Sequence, residues 1–218
     1  MEKFEEKLST WELFLGEIAR NIYPSKALIQ SQLQFLVERE VCSEGRFQAL
    51  IAVRYMAAYE QAINEYLHPP ADFKQANIKA ELIHFGSIFE GLLEIFLVSQ
   101  FRKNEITASL YNSWFPKNNN ELLINADCLS KKQKNNRFEK LTFNASIDCF
   151  AAWNKHQNGD APRFGNFVSL MHSLREQRND VHVDHMVDTG GVHEEYKLVE
   201  IRNKWDGFVS MVKGKISE

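Results

Sequence analysis

The segment from Asp72 to Phe101 constrains the fold more than any other stretch of the chain. Its apolar residues recur at three- and four-residue steps, which indicates a helix, and they cover nearly the whole circumference of that helix. They are Ile83, Phe85, Ile88, Phe89, Leu92, Leu93, Phe96 and Leu97. A helix of this kind is predicted to lie at the centre of a bundle or against a second subunit.

Two glutamates, Glu90 and Glu94, interrupt this apolar run at helical spacing. We expect them to form a narrow exposed stripe on the helix. The alternative is that they are partners for a buried arginine, because a buried carboxylate requires a compensating charge.

The rest of the chain also has helical periodicity, with prolines marking the breaks. Helices are predicted over 4–22, 25–40, 46–67, 143–156, 164–189 and 194–216. Ser25 is suited to cap the second of these, and Pro69-Pro70 ends the third. The pattern predicts an all-α bundle forming one continuous globular unit. Residues 1–68 would be an N-terminal helical extension packed on the domain formed by residues 69–218.

Composition excludes several classes of function. The 218 residues carry a net charge of -3, so any contact with nucleic acid must come from a local basic patch. Three scattered cysteines without a CxxC pair predict reduced thiols, a cytoplasmic protein and no structural zinc. The N-terminus lacks a signal-peptide pattern, and the apolar run 88–98 is too short and too charged to span a membrane. Without a P-loop or a GxGxxG motif, we expect no cofactor.

One basic cluster stands out, in the sequence SKKQKNNRFEK. Its cationic residues are Lys131, Lys132, Lys134, Arg137 and Lys140. We expect a solvated helix face here. The functional alternative is a contact with a phosphate backbone, where each cation displaces condensed counterions.

The sequence LREQRNDVHVDH, residues 174–185, concentrates the chemistry of the chain. On a helix its arginines and histidines fall within an arc of roughly 80°. They are Arg175, Arg178, His182 and His185. Leu170, Leu174 and Val181 form an adjacent apolar stripe, so a titratable cationic ridge is predicted beside a buried face.

Several chemistries are compatible with this ridge. His182 and His185 could share a metal, and His193 follows them after a turn, but a third ligand is not evident and the arginines would repel a cation, so we expect no metal. No GxSxG motif supports nucleophilic catalysis. Metal-independent RNA cleavage needs a phosphate-binding guanidinium and a histidine that exchanges protons near neutral pH. From spacing alone we favour a structural interpretation, with surface ion pairs and a packing histidine.

The same twelve residues resemble the signature of the HEPN superfamily (higher eukaryotes and prokaryotes nucleotide-binding domain). That signature is an arginine followed, after four to six residues, by a histidine, with a polar residue next to the arginine. The resemblance covers about residues 71–216, and includes the apolar sequence SIFEGLLEIFL, which is similar to the family's first core helix. It implies an all-α, up-and-down HEPN-like bundle.

The match has two alignments. Six residues lie between Arg175 and His182. Arg178 has Asn179 beside it, and three residues lie between Arg178 and His182 and six between Arg178 and His185. We take His182 as the histidine, with His185 as the fallback. The resemblance implies that Arg175 or Arg178 binds phosphate, that Asn179 orients the site, and that the histidine is the acid and base.

The resemblance also implies a function and partners. We expect a metal-independent endoribonuclease, a toxin or phage-defence effector, that acts on RNA as a homodimer with its motif helices near the interface. It further implies a cognate antitoxin of the nucleotidyltransferase type. The alternatives are a non-catalytic module that binds a nucleotide, RNA or a protein, and a purely structural dimer.

Overall fold

Helices make up most of the chain in the computed structural model. The structure describes Gly16, Arg20 and residues 22–116, 121–125, 127–133, 135–159, 163–179 and 195–218. The helices are α1 (Lys26–Leu33), α2 (Phe35–Glu38), α3 (Glu44–Leu67), α4 (Ala71–Arg102), α5 (Ala108–Trp114), α6 (Phe143–Asn158), α7 (Gly165–Asn179) and α8 (Glu195–Ser217). Three short strands are β1 (Leu122–Asn125), β2 (Cys128–Lys132) and β3 (Phe138–Lys140). The chain is therefore mostly helical, as the periodicity predicts, with a small sheet.

Helix α4 lies at the centre of the molecule. It packs against α3, α6, α7, α8 and strand β2, and every residue from Leu92 to Gln100 is buried. In the described part of the chain it is the one helix long and apolar enough to cross a membrane. Since 72% of that apolar window is buried inside the molecule, it has the character of a core helix.

Aromatic side chains of α4 fix its neighbours in place. Phe89 stacks on Phe208 of α8 with ring centroids 4.8 Å apart. About two turns further along α4, Phe96 packs edge to face against Phe150 and Trp153 of α6, with ring centroids 5.4 and 4.9 Å apart. Such pairs stabilise a core beyond the area that they bury. The two ends of the apolar run thus hold two different helices.

The helix boundaries follow local sequence signals. The Ser25 hydroxyl accepts a hydrogen bond from the backbone N–H of Leu28, as expected for an N-cap. Helix α3 ends at Leu67 before Pro69-Pro70, and α4 begins one residue after them. Both predicted boundaries are confirmed. The N-terminal helix predicted over residues 4–22 lies almost wholly outside the described residues.

A small antiparallel sheet corrects the all-α prediction. The strands pair in the order β1-β2-β3, with Leu122 opposite Lys131 and Lys132 opposite Phe138. Asp127 and Asn136 lie in the turns with positive φ, a conformation that Asp and Asn tolerate better than most residues. Strands this short contain too few residues for their alternation to be recognised in the sequence.

The sheet also changes the interpretation of the basic cluster. Lys131 and Lys132 lie on β2 and Lys140 on β3, with exposed Arg137 just before β3, so the predicted helix face is wrong. Lys132 pairs with Glu121 at 3.0 Å, and Lys140 pairs with Glu94 at 2.5 Å. Part of the positive charge of the basic cluster is therefore neutralised by glutamates of the same chain. Lys134 lies outside the described residues.

Replacement of Phe96 should test the central position of α4. Phe96→Ala removes a fully buried ring with two aromatic neighbours, and should lower the free energy of unfolding by about 3–5 kcal/mol. Phe73→Ala on the same helix is the matched control, because that ring is 68% exposed, and should change it by less than about 0.5 kcal/mol. Urea denaturation measures both, and equal losses would contradict this account of the core.

Candidate active site

Helix α7 presents its two arginines beside a buried apolar face. Leu170, Met171 and Leu174 are buried against the bundle, as the sequence predicts for the two leucines. Arg175 and Arg178 follow and are both half-buried. Because they are three residues apart, they lie on neighbouring positions of one helix side. The two arginines of the predicted cationic ridge therefore lie at the edge of the core.

Arg178 is held against α4 by two residues of that helix. Its Nη1 lies 2.6 Å from Glu90 Oε2, and the two side chains remain 38% and 18% exposed. Its methylene stem lies on Gly86, where a Cβ would be only 3.2 Å from Arg178 Cδ. Gly86 and Glu90 are four residues apart, so both lie on the same face of α4. The glycine makes room for the stem, and the glutamate orients the guanidinium.

Glu94, one turn further along α4, is almost fully buried and also binds basic side chains. It forms an ion pair with Arg46 of α3, and Lys140 Nζ lies 2.5 Å from its Oε1. Burial, with Glu94 nearby, raises the pKa of the Cys128 thiol beside this pair. The exposed stripe expected for Glu90 and Glu94 is therefore wrong. Each glutamate pairs with an arginine, as in the alternative, but Arg46 and Arg178 are half-buried and not buried. The physical reason is that α3, α7 and the sheet pack along this part of α4 and bring basic side chains to both glutamates.

The other predicted site residues are only partly visible. Arg175 has an Nε atom that is shielded from solvent and donates to no described residue. Asn179 is the last residue of α7. Both predicted histidines, His182 and His185, lie outside the described residues, as do Val181 and His193. The structure thus pairs Arg178 with Glu90 and places Arg175 three residues earlier on the same helix. The pairing of an arginine with a histidine stays a prediction.

A further ion pair was not predicted from the sequence. Glu81 of α4 is fully buried, and Arg202 of α8 donates to both of its carboxylate oxygens, at 2.7 and 2.6 Å. Burial raises the pKa of Glu81, and the hydrogen bonds from Arg202 oppose that rise. The partners are 121 residues apart. The only signal in the sequence was a glutamate inside an apolar helix.

Other reactive groups do not form a second centre in the described part of the chain. No group of three or more His, Cys, Asp or Glu side chains there could hold a metal ion. Burial raises the pKa of the Cys149 thiol to about 12 and that of Cys42 to about 11, so both stay protonated and weakly reactive at neutral pH. The chemistry of the site therefore rests on guanidinium groups, which bind oxyanions through paired N–H donors.

Comparison with known proteins leaves the site to be interpreted from its geometry. No family model, no curated protein and no solved structure matches the chain.

A double-mutant cycle should measure how strongly Glu90 holds Arg178. Glu90→Gln, Arg178→Met and the double variant should give a coupling of about 1 kcal/mol in the free energy of unfolding, because the pair is partly shielded from water. Urea denaturation provides the four values. The matched control is the more exposed pair Lys74–Glu195, whose coupling should be within about 0.5 kcal/mol of zero. Additive effects at Glu90 and Arg178 would show that the contact does not position the arginine.

Proposed function

We propose that the protein is a metal-independent endoribonuclease of the HEPN type, with Arg178 as its phosphate-binding residue. The observation that carries the proposal is the anchoring of Arg178 by Glu90 and Gly86 at the edge of the core. A guanidinium has several N–H donors, and one contact with a carboxylate leaves others for a phosphate. Because the stem is already packed, little side-chain entropy is lost when RNA binds.

The proton transfers are assigned to His182, with His185 as the alternative. Because the ordinary pKa of a histidine lies close to neutral pH, its side chain can remove the proton from an RNA 2'-hydroxyl and can protonate a leaving 5'-oxygen. The 2'-oxygen attacks phosphorus and the bond from phosphorus to the 5'-oxygen breaks, which gives a 2',3'-cyclic phosphate and a 5'-hydroxyl. Arg178 stabilises the extra negative charge on the phosphate as this exchange proceeds. The reaction requires no metal and no cofactor.

The biological setting of the proposal comes from the HEPN resemblance of residues 174–185. We infer a cytoplasmic homodimer in which two copies of α7 face one cleft, so that two histidines divide the acid and base roles. Such an enzyme would act as a toxin or phage-defence effector and would be neutralised by an antitoxin of the nucleotidyltransferase type. Growth arrest on expression is the expected consequence.

One observation favours a second candidate function, a module that binds RNA, a nucleotide or a protein without cleaving it. Glu90 neutralises part of the charge of Arg178, and the interval between Arg178 and His182 is short for the family. A binding module needs only the cationic face. Its affinity for RNA would fall steeply as salt rises, through counterion release.

Cleavage of a single-stranded RNA in EDTA should separate the two functions. The wild type should release products ending in a 2',3'-cyclic phosphate, detected by mass spectrometry. Arg178→Ala and His182→Ala should each reduce the rate by about a hundredfold or more, the usual contribution of a catalytic acid or base. Parallel Arg175→Ala and His185→Ala variants determine which alignment of the motif is used.

Two exposed residues far from the motif in sequence provide the matched controls. Arg39 follows α2 and His156 lies on α6, and both are exposed, so Arg39→Ala and His156→Ala should cut RNA at the wild-type rate. If Arg178→Ala and His182→Ala also cut at that rate, the nuclease proposal is wrong. If the wild type binds RNA in a salt-dependent manner without cutting it, the binding module is the function.

A further inference from the structure

Arg54 of α3 is a buried arginine that has no carboxylate partner among the described residues. Only 4% of its surface is exposed, and its Nε and Nη1 donate to no described residue. Its guanidinium lies 5.0 Å from the ring centre of Phe85 and 5.3 Å from that of Trp205. The two aromatic faces compensate part of the cost of burying the charge. They supply no hydrogen-bond acceptor in the guanidinium plane.

The carboxylates nearest to Arg54 are engaged with other residues. Glu81 accepts two hydrogen bonds from Arg202, and Asp206 accepts one from Gln32 at 2.9 Å. Neither carboxylate forms a hydrogen bond with Arg54. Desolvation lowers the pKa of Arg54 and so does the nearby charge of Arg202, whereas the negative charges of Glu81 and Asp206 raise it. Burial lowers the pKa of Arg54 to about 10, so the group stays cationic at neutral pH. A permanent charge is thus held in place without a direct anionic contact from a described residue.

Arg54 forms part of the wall of a cavity of about 440 Å³ between α1, α3 and α8. The wall also includes Tyr23, Gln32, Gln61, Arg202, Trp205 and Asp206. The volume is within the range of sites for small organic ligands. The wall combines two arginines, amide groups and aromatic rings with one carboxylate, that of Asp206, which accepts a hydrogen bond from Gln32. This combination suits a polar molecule with an anionic end placed at Arg54. A cavity that is only an empty space left between packed side chains would be lined by apolar groups instead.

We propose that this cavity is a binding site for a small molecule with an oxyanion group, a carboxylate or a phosphate, whose charge Arg54 balances. The planar guanidinium matches both groups, because each offers two oxygen atoms to parallel N–H donors. Arg202 stands at the same wall, fixed by Glu81, and adds positive potential. Gln61 and Tyr23, at the more open side, contact the remainder of the ligand. The proposal does not rest on the endoribonuclease proposal, since the described residues that line the cavity include neither Arg175 nor Arg178.

Titration of the full-length protein with two probes tests the site. Inorganic phosphate and succinate are added separately at constant ionic strength, with chloride as the reference anion. Trp205 Nε1 donates to Gln32 inside the cavity wall, so its indole N–H resonance reports occupancy and is identified from a Trp205→Phe spectrum. Calorimetry gives the dissociation constants. Saturable binding of phosphate alone identifies a phosphate ligand, and binding of succinate alone identifies an organic acid.

Three variants make the result specific. Arg54→Met keeps an unbranched side chain and should weaken binding by about tenfold or more, since a charge-assisted hydrogen bond is lost. Gln61→Trp should block the cavity while leaving Arg54 in place, and should have the same effect if Arg54→Met does not fold. Arg39→Met, at an exposed arginine, should bind as the wild type does. The proposal is overturned if neither probe binds the wild type, or if the folded Arg54→Met or Gln61→Trp variant binds with wild-type affinity.

Discussion

Three carboxylates on one buried helix determine how the rest of the molecule is arranged around it. Glu81, Glu90 and Glu94 all lie on α4, and most of the residues that this helix buries are apolar. A carboxylate taken out of water is strongly destabilising unless a cation and hydrogen bonds compensate it. Each therefore needs a basic side chain from an element packed against α4. These ion pairs add to the aromatic contacts of α4, because each one favours a single relative position of the two elements that it joins.

The pairs connect α4 to three different helices and to the sheet. Glu81 binds Arg202 of α8, and Glu94 binds Arg46 of α3 together with Lys140 of β3. Glu90 binds Arg178 of α7. An arrangement that separated one of these pairs would leave a charge that is shielded from water and unpaired, which is strongly destabilising. The ion pairs therefore favour the observed arrangement of the elements around α4. The pair of Glu90 and Arg178 at the candidate active site is one of these ion pairs. The arginine there is therefore oriented by a carboxylate of the central helix.

The sequence was sufficient for the parts of the fold that depend on local chemistry. Apolar periodicity located α4, Ser25 marked a helix start, and Pro69-Pro70 marked a helix end. The hairpin of β2 and β3 was mistaken for a helix because its strands are short and its lysines resemble a solvated face. The partners of the three glutamates could not be predicted, because Glu81 and Arg202 meet only through tertiary packing, 121 residues apart. At the motif, the sequence predicted the arginines and suggested a partner role for Glu90, but it could not say which arginine Glu90 binds.

Arg178 and Arg54 show how the same side chain serves different chemistry in two surroundings. Arg178 is partly exposed and bound to a carboxylate, so its position is set by the protein and its remaining donors are accessible to a large ligand such as RNA. Arg54 is buried between two rings, and no described carboxylate binds it directly, so only a small ligand that enters the cavity can reach it. A structural role alone accounts poorly for Arg54, because methionine would fill the same space without an uncompensated charge. An anion bound beside Arg54, as we propose, would compensate this charge.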